Sequence, residues 1–389
     1  MQDACLLENA FVWIEKGRIK ILGRMQEIPD YLPQNLQKID CTGRIVFPGF
    51  VDSHTHLIFA ATRESEFVDR IRGLTYEEIA DRGGGILNSA EKLRQMDENY
   101  LLELTKNRAW EIIGHGTTTV EIKSGYGLTV EDEMKMLRVA RRVGEETPLR
   151  VKTTLLGAHA FPTEYKEKKD EYVNMVISRM IPRAAAENLA DYIDVFCERG
   201  FFSVEQTGRI LEAGAKYGLR PKIHANQLSF SGGVQIGVKN NAISVDHLEH
   251  AGGEEIECLK SGNTIPTFLP GSAFFIRQPY PPARMMIDSG LPVCIASDYN
   301  PGSAPTGNMS FQMALACIYM QMLPEEALVA CTLNGAAALE LSGECGSIEV
   351  GKAADLLISK PLDNLSMIPY HFGSNLIEKV IVGGLTPLS

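Results

Sequence analysis

The chain has 389 residues, too many for one small domain, and a barrel of roughly 250 residues with a satellite is the natural partition. Apolar residues at 44% and charged residues at 22% describe an ordinary globular protein. The net charge of −11 argues against a nucleic-acid partner or an anionic membrane surface, both of which favour a basic face. It leaves room for a small anionic substrate, because one well-placed arginine decides that locally.

Residues 1 to about 45 are β-rich and turn-rich, with Ala10-Phe11-Val12-Trp13-Ile14 followed by Gly17-Arg18-Ile19-Lys20-Ile21-Leu22-Gly23, a hairpin pattern. The start is abrupt, so an opening strand is expected to precede it. Similar language returns in Gly346–Ile358 and in Lys379-Val380-Ile381-Val382-Gly383-Gly384. Residues 1–45 and 346–389 are therefore expected to form one small β-sandwich-like domain beside a catalytic unit at 46–345.

Between them, strand and helix patterns alternate. Expected strands are 46–52, 118–122, 151–156, 193–196, 221–224, 242–246, 264–269 and 293–297. Helical patterns separate them, for example 99–113, with apolar residues at Leu101, Leu104, Ala109, Ile112 and Ile113, and 131–143. Eight βα units in succession imply an α/β fold of the (β/α)8 barrel type. An open doubly wound sheet is the alternative, but no Gly-x-Gly-x-x-Gly follows the first strand. The run Gly83-Gly84-Gly85 is read as a loop hinge.

The polar residues fall at the strand ends. The first strand, an apolar run from Ile45 to Val51, leads into His54 and His56, two apart and so on one face of an extended chain. The second runs into Lys123-Ser124-Gly125-Tyr126-Gly127 and the third ends at His159. The fifth carries His224 and Gln227, the sixth Asp246 and His247, and the eighth Asp298-Tyr299-Asn300-Pro301-Gly302-Ser303. Buried polar groups are costly without partners, so this concentration is a poor way to stabilise a barrel and reads as a catalytic mouth. His54, His56, His224 and Asp298 offer three imidazoles and a carboxylate, a donor set for zinc or another borderline divalent cation. One Asp298 oxygen would face the cation while the other accepts a proton from water. His115, His250 and His371 are read as structural.

The eight cysteines, at 5, 41, 197, 258, 294, 317, 331 and 345, form no Cys-x-x-Cys pair and several lie in apolar runs. They are read as free thiols of a reducing compartment. No stretch is apolar enough to cross a bilayer and the N-terminus lacks a signal-peptide layout, so a cytoplasmic location is expected.

The motifs together resemble the imidazolonepropionase family of the amidohydrolase superfamily. Those that match are Phe47–His56, Thr62–Phe67, Gly83–Ile86, Glu121–Leu128, Leu156–Ala160, Asp194–Glu198, Lys222–Ala225 and Asp298–Ser303. The His-x-His pair is shared across the superfamily, whereas Lys-Ser-Gly-Tyr-Gly and Leu-Gly-Ala-His-Ala are far more specific. The resemblance implies hydrolysis of 4-imidazolone-5-propanoate to N-formimidoyl-L-glutamate in histidine degradation, by metal-activated water. It implies one zinc or iron ion per chain, held by His54, His56, His224 and Asp298, and a homodimer. Arg63 would pair with the propionate carboxylate, Tyr126 and His159 would contact the substrate, and Asn300, Gly302 and Ser303 would hold it from the last loop. His247 would polarise the carbonyl or steady the water.

One position departs from the pattern. Many members carry glutamate three residues after the third metal histidine, and here it is Gln227. An amide cannot shuttle protons, so proton transfer is expected to fall to Asp298, with Gln227 orienting the ring. Three rivals stand beside this reading: a binuclear cyclic amidase of the dihydroorotase or hydantoinase kind, with Lys123 carbamylated; an aminohydrolase of the guanine or cytosine deaminase type; and an inactive barrel used for binding.

Overall fold

Strands β1 (Ala10–Glu15) and β2 (Arg18–Arg24) form an antiparallel hairpin turned by Lys16 and Gly17, both at positive φ. That is the backbone a tight two-residue hairpin turn requires. They belong to a computed structural model that describes residues 5–30, 36–74, 78 and 84–387. β3 (Val46–Pro48) and β4 (Phe50–Thr55) follow, then β5 (Thr117–Lys123), β6 (Arg150–Ala158) and β7 (Tyr192–Cys197). Next come β8 (Arg220–Pro221), β9 (Ile223–Ala225), β10 (Ser244–His247), β11 (Ile265–Phe268) and β12 (Cys294–Ile295). β13 (Leu356–Ser359) and β14 (Ile377–Ile381) end the described chain.

The main sheet runs β4-β5-β6-β7-β9-β10-β11-β12, all parallel, with β8 also paired to β7. Its two edges meet just past β12. Thr55 bridges Tyr299, Asp298 N–H donates to His54 O at 3.0 Å, and His56 N–H donates to Tyr299 O at 3.0 Å. The expected barrel is therefore present, closed by the same residues that carry the histidine pair and Asp298. Each expected strand has a counterpart. The fifth is interrupted at Lys222, and the eighth keeps only Cys294–Ile295 as regular strand.

The first strand differs from expectation in an informative way. The apolar run from Ile45 to Val51 is not one strand but two, divided at Gly49. β3 pairs antiparallel with β13 in a three-stranded sheet with β14, and only β4 enters the barrel. Gly49 lies so close to Thr118 that an ideal Cβ would overlap its side chain, so the crossing between sheets needs glycine. The hairpin and the three-stranded sheet share one apolar cluster, with Ile19 and Val12 from the first segment and Ala354, Leu356, Ile358 and Ile381 from the last.

The expected helices lie at Glu98–Gly114 and Val130–Glu146, slightly longer than their apolar patterns. Asp97 caps the first by accepting from Asn99 N–H and Tyr100 N–H, and Thr129 caps the second by accepting from Asp132 N–H. Their buried faces, including Leu101, Ile112, Met134 and Leu137, join Val120, Ile122 and Leu155 of the barrel in one large core. Of the glycine run, Gly83 lies outside the described residues, and Gly84 and Gly85 open the helix Gly85–Gln95. All eight cysteines are free thiols, four of them buried. No helix among the described residues is long and apolar enough to cross a membrane.

Candidate active site

Period-two alternation carries charge into the barrel interior. Asp52 and His54 on β4, Glu121 and Lys123 on β5, Asp194 on β7, Lys222 and His224 beside or on β9, and Asp246 on β10 are all buried. At the top of this stack four side chains converge. His54 Nε2 lies 3.6 Å and His56 Nε2 3.5 Å from Asp298 Oδ1, and His224 Nε2 lies 3.3 Å from His56 Nε2. The His54 and His224 rings are 4.4 Å apart, and His247 stands 5.4 Å from His224. Two overlapping groups can hold a cation here: His54, His56 and Asp298, and His54, His224 and His247. The four expected ligands are thus neighbours in one cluster, His224 lying against His54 and His56 and Asp298 against the same pair, and His247 borders it as well.

The donors are prepared by the layer beneath them. His54 Nδ1 lies 2.6 Å from Asp246 Oδ2, and His224 Nδ1 lies 3.0 Å from Asp194 Oδ2. A carboxylate accepts only, so His54 Nδ1 carries the proton and His54 Nε2 keeps a lone pair aimed inward. His54 Nε2 is buried without a hydrogen-bond partner. Burial holds His54 and His56 well below the usual imidazole range and His224 at about 4, so these rings are neutral. A buried, uncharged, partnerless nitrogen is what a cation ligand looks like, and on the ground of His54 Nε2 the cluster around it fits a metal ion.

Lys123 holds both of those carboxylates. Its Nζ lies 2.8 Å from Asp194 Oδ2, 3.8 Å from Asp246 Oδ2 and 2.7 Å from Glu121 Oε1. Lys222 Nζ donates to the other Glu121 oxygen and, at 2.9 Å, to Ser53 O, on the strand of the histidine pair. Burial opposes the charge on Lys123, yet Asp194, Glu121 and Asp246 outweigh it and raise its pKa.

The strand ends turn sharply to aim these groups. Asn226, His247, Leu248 and Asp298 all have φ between 55° and 90°, a region non-glycine residues avoid at a cost of about 1–3 kcal/mol each. Asp52 secures the last of these turns, accepting from Ser297 N–H at 2.9 Å and Ser297 Oγ–H at 2.5 Å. Asp298 Oδ2 accepts from Ser303 Oγ–H at 3.3 Å, and burial lifts its carboxyl to about 6. His247 Nδ1 lies 3.3 Å from Glu249 Oε1; burial works against its charge, but Glu249 prevails and raises its pKa.

Around the mouth, the His159 ring stacks on His56 at 5.1 Å and Tyr126 lies 5.5 Å from His159. Gln227 is buried, three residues past His224. Asn300 is occupied by its own loop: its Nδ2 donates to Asp298 O and Ser303 Oγ, while its Oδ1 accepts from Gly302 N–H and Ser303 N–H. It shapes the turn that carries Gly302 and Ser303. Arg63 precedes the helix Glu64–Ile71 and pairs through two nitrogens with Glu66, its guanidinium lying against Gly302. His115 ends a helix, His371 is exposed, and His250 serves Asn226 through its backbone. Among the described residues, none of the three belongs to a cation-holding group.

An amidohydrolase family model matches residues 45–386. The chain is 53% identical to an imidazolonepropionase of Flavobacterium johnsoniae over 99% of its own length and 93% of that protein. It is 44% identical to an imidazolonepropionase of Geobacillus kaustophilus over 99% of its length and 91% of that protein. The chain belongs to the imidazolonepropionase family of amidohydrolases. Membership makes it a hydrolytic enzyme. Among solved structures, it is similar to a zinc-bound adenosine deaminase from Xanthomonas campestris, with a TM-score of 0.75, 18% identity and coverage of 99% of this chain and 89% of that one. It is also similar to a 5-methylcytosine deaminase from Klebsiella pneumoniae, with a TM-score of 0.77, 15% identity and coverage of 97% and 94%. At such identities the likeness shows a shared fold.

In this imidazolonepropionase-family chain, motifs alone point to the residues named at the strand ends and not to the buried charges beneath them. Glu121, Asp194, Lys222, Glu66 and Glu249 stand outside the motif-derived roles. A signal existed for several: charged residues at alternate positions inside apolar strands, as in Glu121-Ile122-Lys123 and Lys222-Ile223-His224, mark a charged barrel interior.

Proposed function

We propose that the enzyme hydrolyses the ring amide of 4-imidazolone-5-propanoate to N-formimidoyl-L-glutamate, using one divalent cation, zinc or iron, per chain. The observation that supports this reading is the clustering of His54, His56, His224 and Asp298, with His54 Nε2 and His56 Nε2 facing Asp298 Oδ1 and His224 Nε2 facing His56 Nε2. A cation bound there supplies Lewis-acid polarisation and lowers the pKa of water toward neutrality.

The chain's own residues do the rest. Arg63, kept in place by Glu66, offers a planar donor to the propionate carboxylate. Tyr126 and His159 flank the ring, and Gln227 orients it through its amide. Gly302 and Ser303, on the turn shaped by Asn300, close the far side. His247, its charge favoured by Glu249, donates from Nε2 to the oxygen on which negative charge develops. Asp298 Oδ2 takes the proton of the attacking water and delivers it to the leaving ring nitrogen.

The binuclear rival needs a neutral, reachable Lys123 amine, and this one is fully buried between Glu121 and Asp194. A deaminase is disfavoured by the amide at Gln227. We also propose a cytoplasmic homodimer, on the family's precedent and the free thiols, with the two terminal segments forming a small domain of their own. The test is turnover of the imidazolone, followed by its absorbance, against a panel of other cyclic amides, with metal measured on the same sample. Imidazolone turnover with one equivalent supports the reading. Two equivalents, or preference for another cyclic amide, overturn it.

A further inference from the structure

We propose that Glu133 is the positioning residue of the substrate pocket, setting Tyr126 and His159 through the loop 125–128 that carries Tyr126 and touches His159. The inference rests on the reading that those two residues flank the imidazolone.

Glu133 stands in the first turn of the helix Val130–Glu146, where carboxylates ordinarily face solvent or the helix's own N–H groups. Its neighbour Glu131 is exposed, and Asp132 is held by the Thr129 hydroxyl and Lys135. Glu133 is instead completely buried and accepts from three N–H groups of the preceding loop: Gly125 at 3.0 Å, Gly127 at 2.8 Å and Leu128 at 2.7 Å. The loop wraps so tightly that an ideal Cβ on Gly127 would come within 2.5 Å of Glu133 N. Tyr126 sits between two of the anchored positions. Gly125 connects to His159, whose Nδ1 lies 3.0 Å from Gly125 O. Gly125 also has φ +109°, and a Cβ there would come within 2.9 Å of His159 Nδ1. One carboxylate therefore fixes the carbonyl that orients His159.

The consequence is chemical. A carbonyl only accepts, so His159 Nδ1 carries the proton and Nε2 is left as an acceptor. The pocket then presents a lone pair beside the His56 ring and selects a ligand with an N–H donor at that point, which an imidazolone ring nitrogen supplies. The merely structural alternative is a carboxylate that caps a loop. It predicts lost stability with no preference between binding and turnover.

Glu133→Gln separates the two. Only a carboxylate offers two acceptor oxygens, so an amide must turn its NH2 against at least one backbone N–H. The expected result is a KM for the imidazolone raised about tenfold, with kcat changed less than about threefold and bound metal at the wild-type level. In 15N-histidine spectra the His159 ring should leave its Nδ1–H state, a readout that needs no substrate. Glu131→Gln, on the same turn but exposed, should change neither. If Glu133→Gln does not fold, Glu133→Asp keeps two oxygens one methylene short and should shift the same two signals less. A folded variant with unchanged KM and an unmoved His159 signal overturns the proposal, as does joint loss of metal and kcat. Wild-type protein that ignores the imidazolone overturns the functional reading instead, and the His159 spectra then still decide the role of Glu133.

Discussion

Arg63 and Gly302 occupy adjoining space so closely that an ideal Cβ on Gly302 would overlap the Arg63 guanidinium. Glu66 grips that guanidinium from the other side, and Arg70 Nη2–H donates to Gly302 O at 2.7 Å. A side chain at this glycine could be accommodated only by displacing the arginine from its place against Glu66. Gly302→Ala is expected to push Arg63 off the carboxylate position, raising KM about tenfold or more while kcat falls less, because a charge-assisted bond to substrate is lost. Steady-state kinetics on the imidazolone checks this; an unchanged KM would place the substrate carboxylate elsewhere.

Asp298 and Gln227 divide the work between proton transfer and orientation. Asp298→Asn should lower kcat by about a thousandfold, since it removes both a cation donor and the proton acceptor. Gln227→Ala should cost about tenfold. Equal losses in kcat would show that Gln227 has a larger part than its chemistry suggests.

Cation affinity should depend on pH with a sign set by Asp298. Burial raises its carboxyl to about 6, and His224 sits at about 4. Above pH 6 both are deprotonated and ready to bind, so affinity there should be flat with respect to these two groups. Below pH 6 a proton competes for Asp298, weakening binding about tenfold per pH unit, and below pH 4 the slope should steepen as His224 also protonates. Chelator competition with metal-free protein measures the curve. Affinity that strengthens on acidification would contradict the donor set.

Lys222 supports the histidines from below without touching a ligand ring. Lys222→Met strips Glu121 of a buried partner and frees Ser53 O, and breaking a buried ionic network costs about 3–5 kcal/mol. Thermal denaturation should show a clear fall in Tm, and equilibrium dialysis about a tenfold to hundredfold loss of cation affinity. A loss of Tm with affinity intact would make the network purely structural.

The order of elements was legible along the chain because periodicity is local: eight apolar runs separated by helical patterns, six of them ending in polar residues, announce a barrel with a mouth. His54 and His56 declare themselves by sitting two apart on a strand. The Gly49 split was not legible, because what divides that apolar run is the side chain of Thr118 on another strand. Nor was the support of the site. His54 and its partner Asp246 are 192 residues apart, and Lys123 and Asp194 are 71 apart. Glu133 reads in sequence as an ordinary first-turn acid of an amphipathic helix. The sequence by itself determined which groups could ligate, donate or accept. Which of them meet, and which buried charge answers which, was decided only when the closing of the barrel set strand register, since a shift of one residue would turn every interior side chain outward.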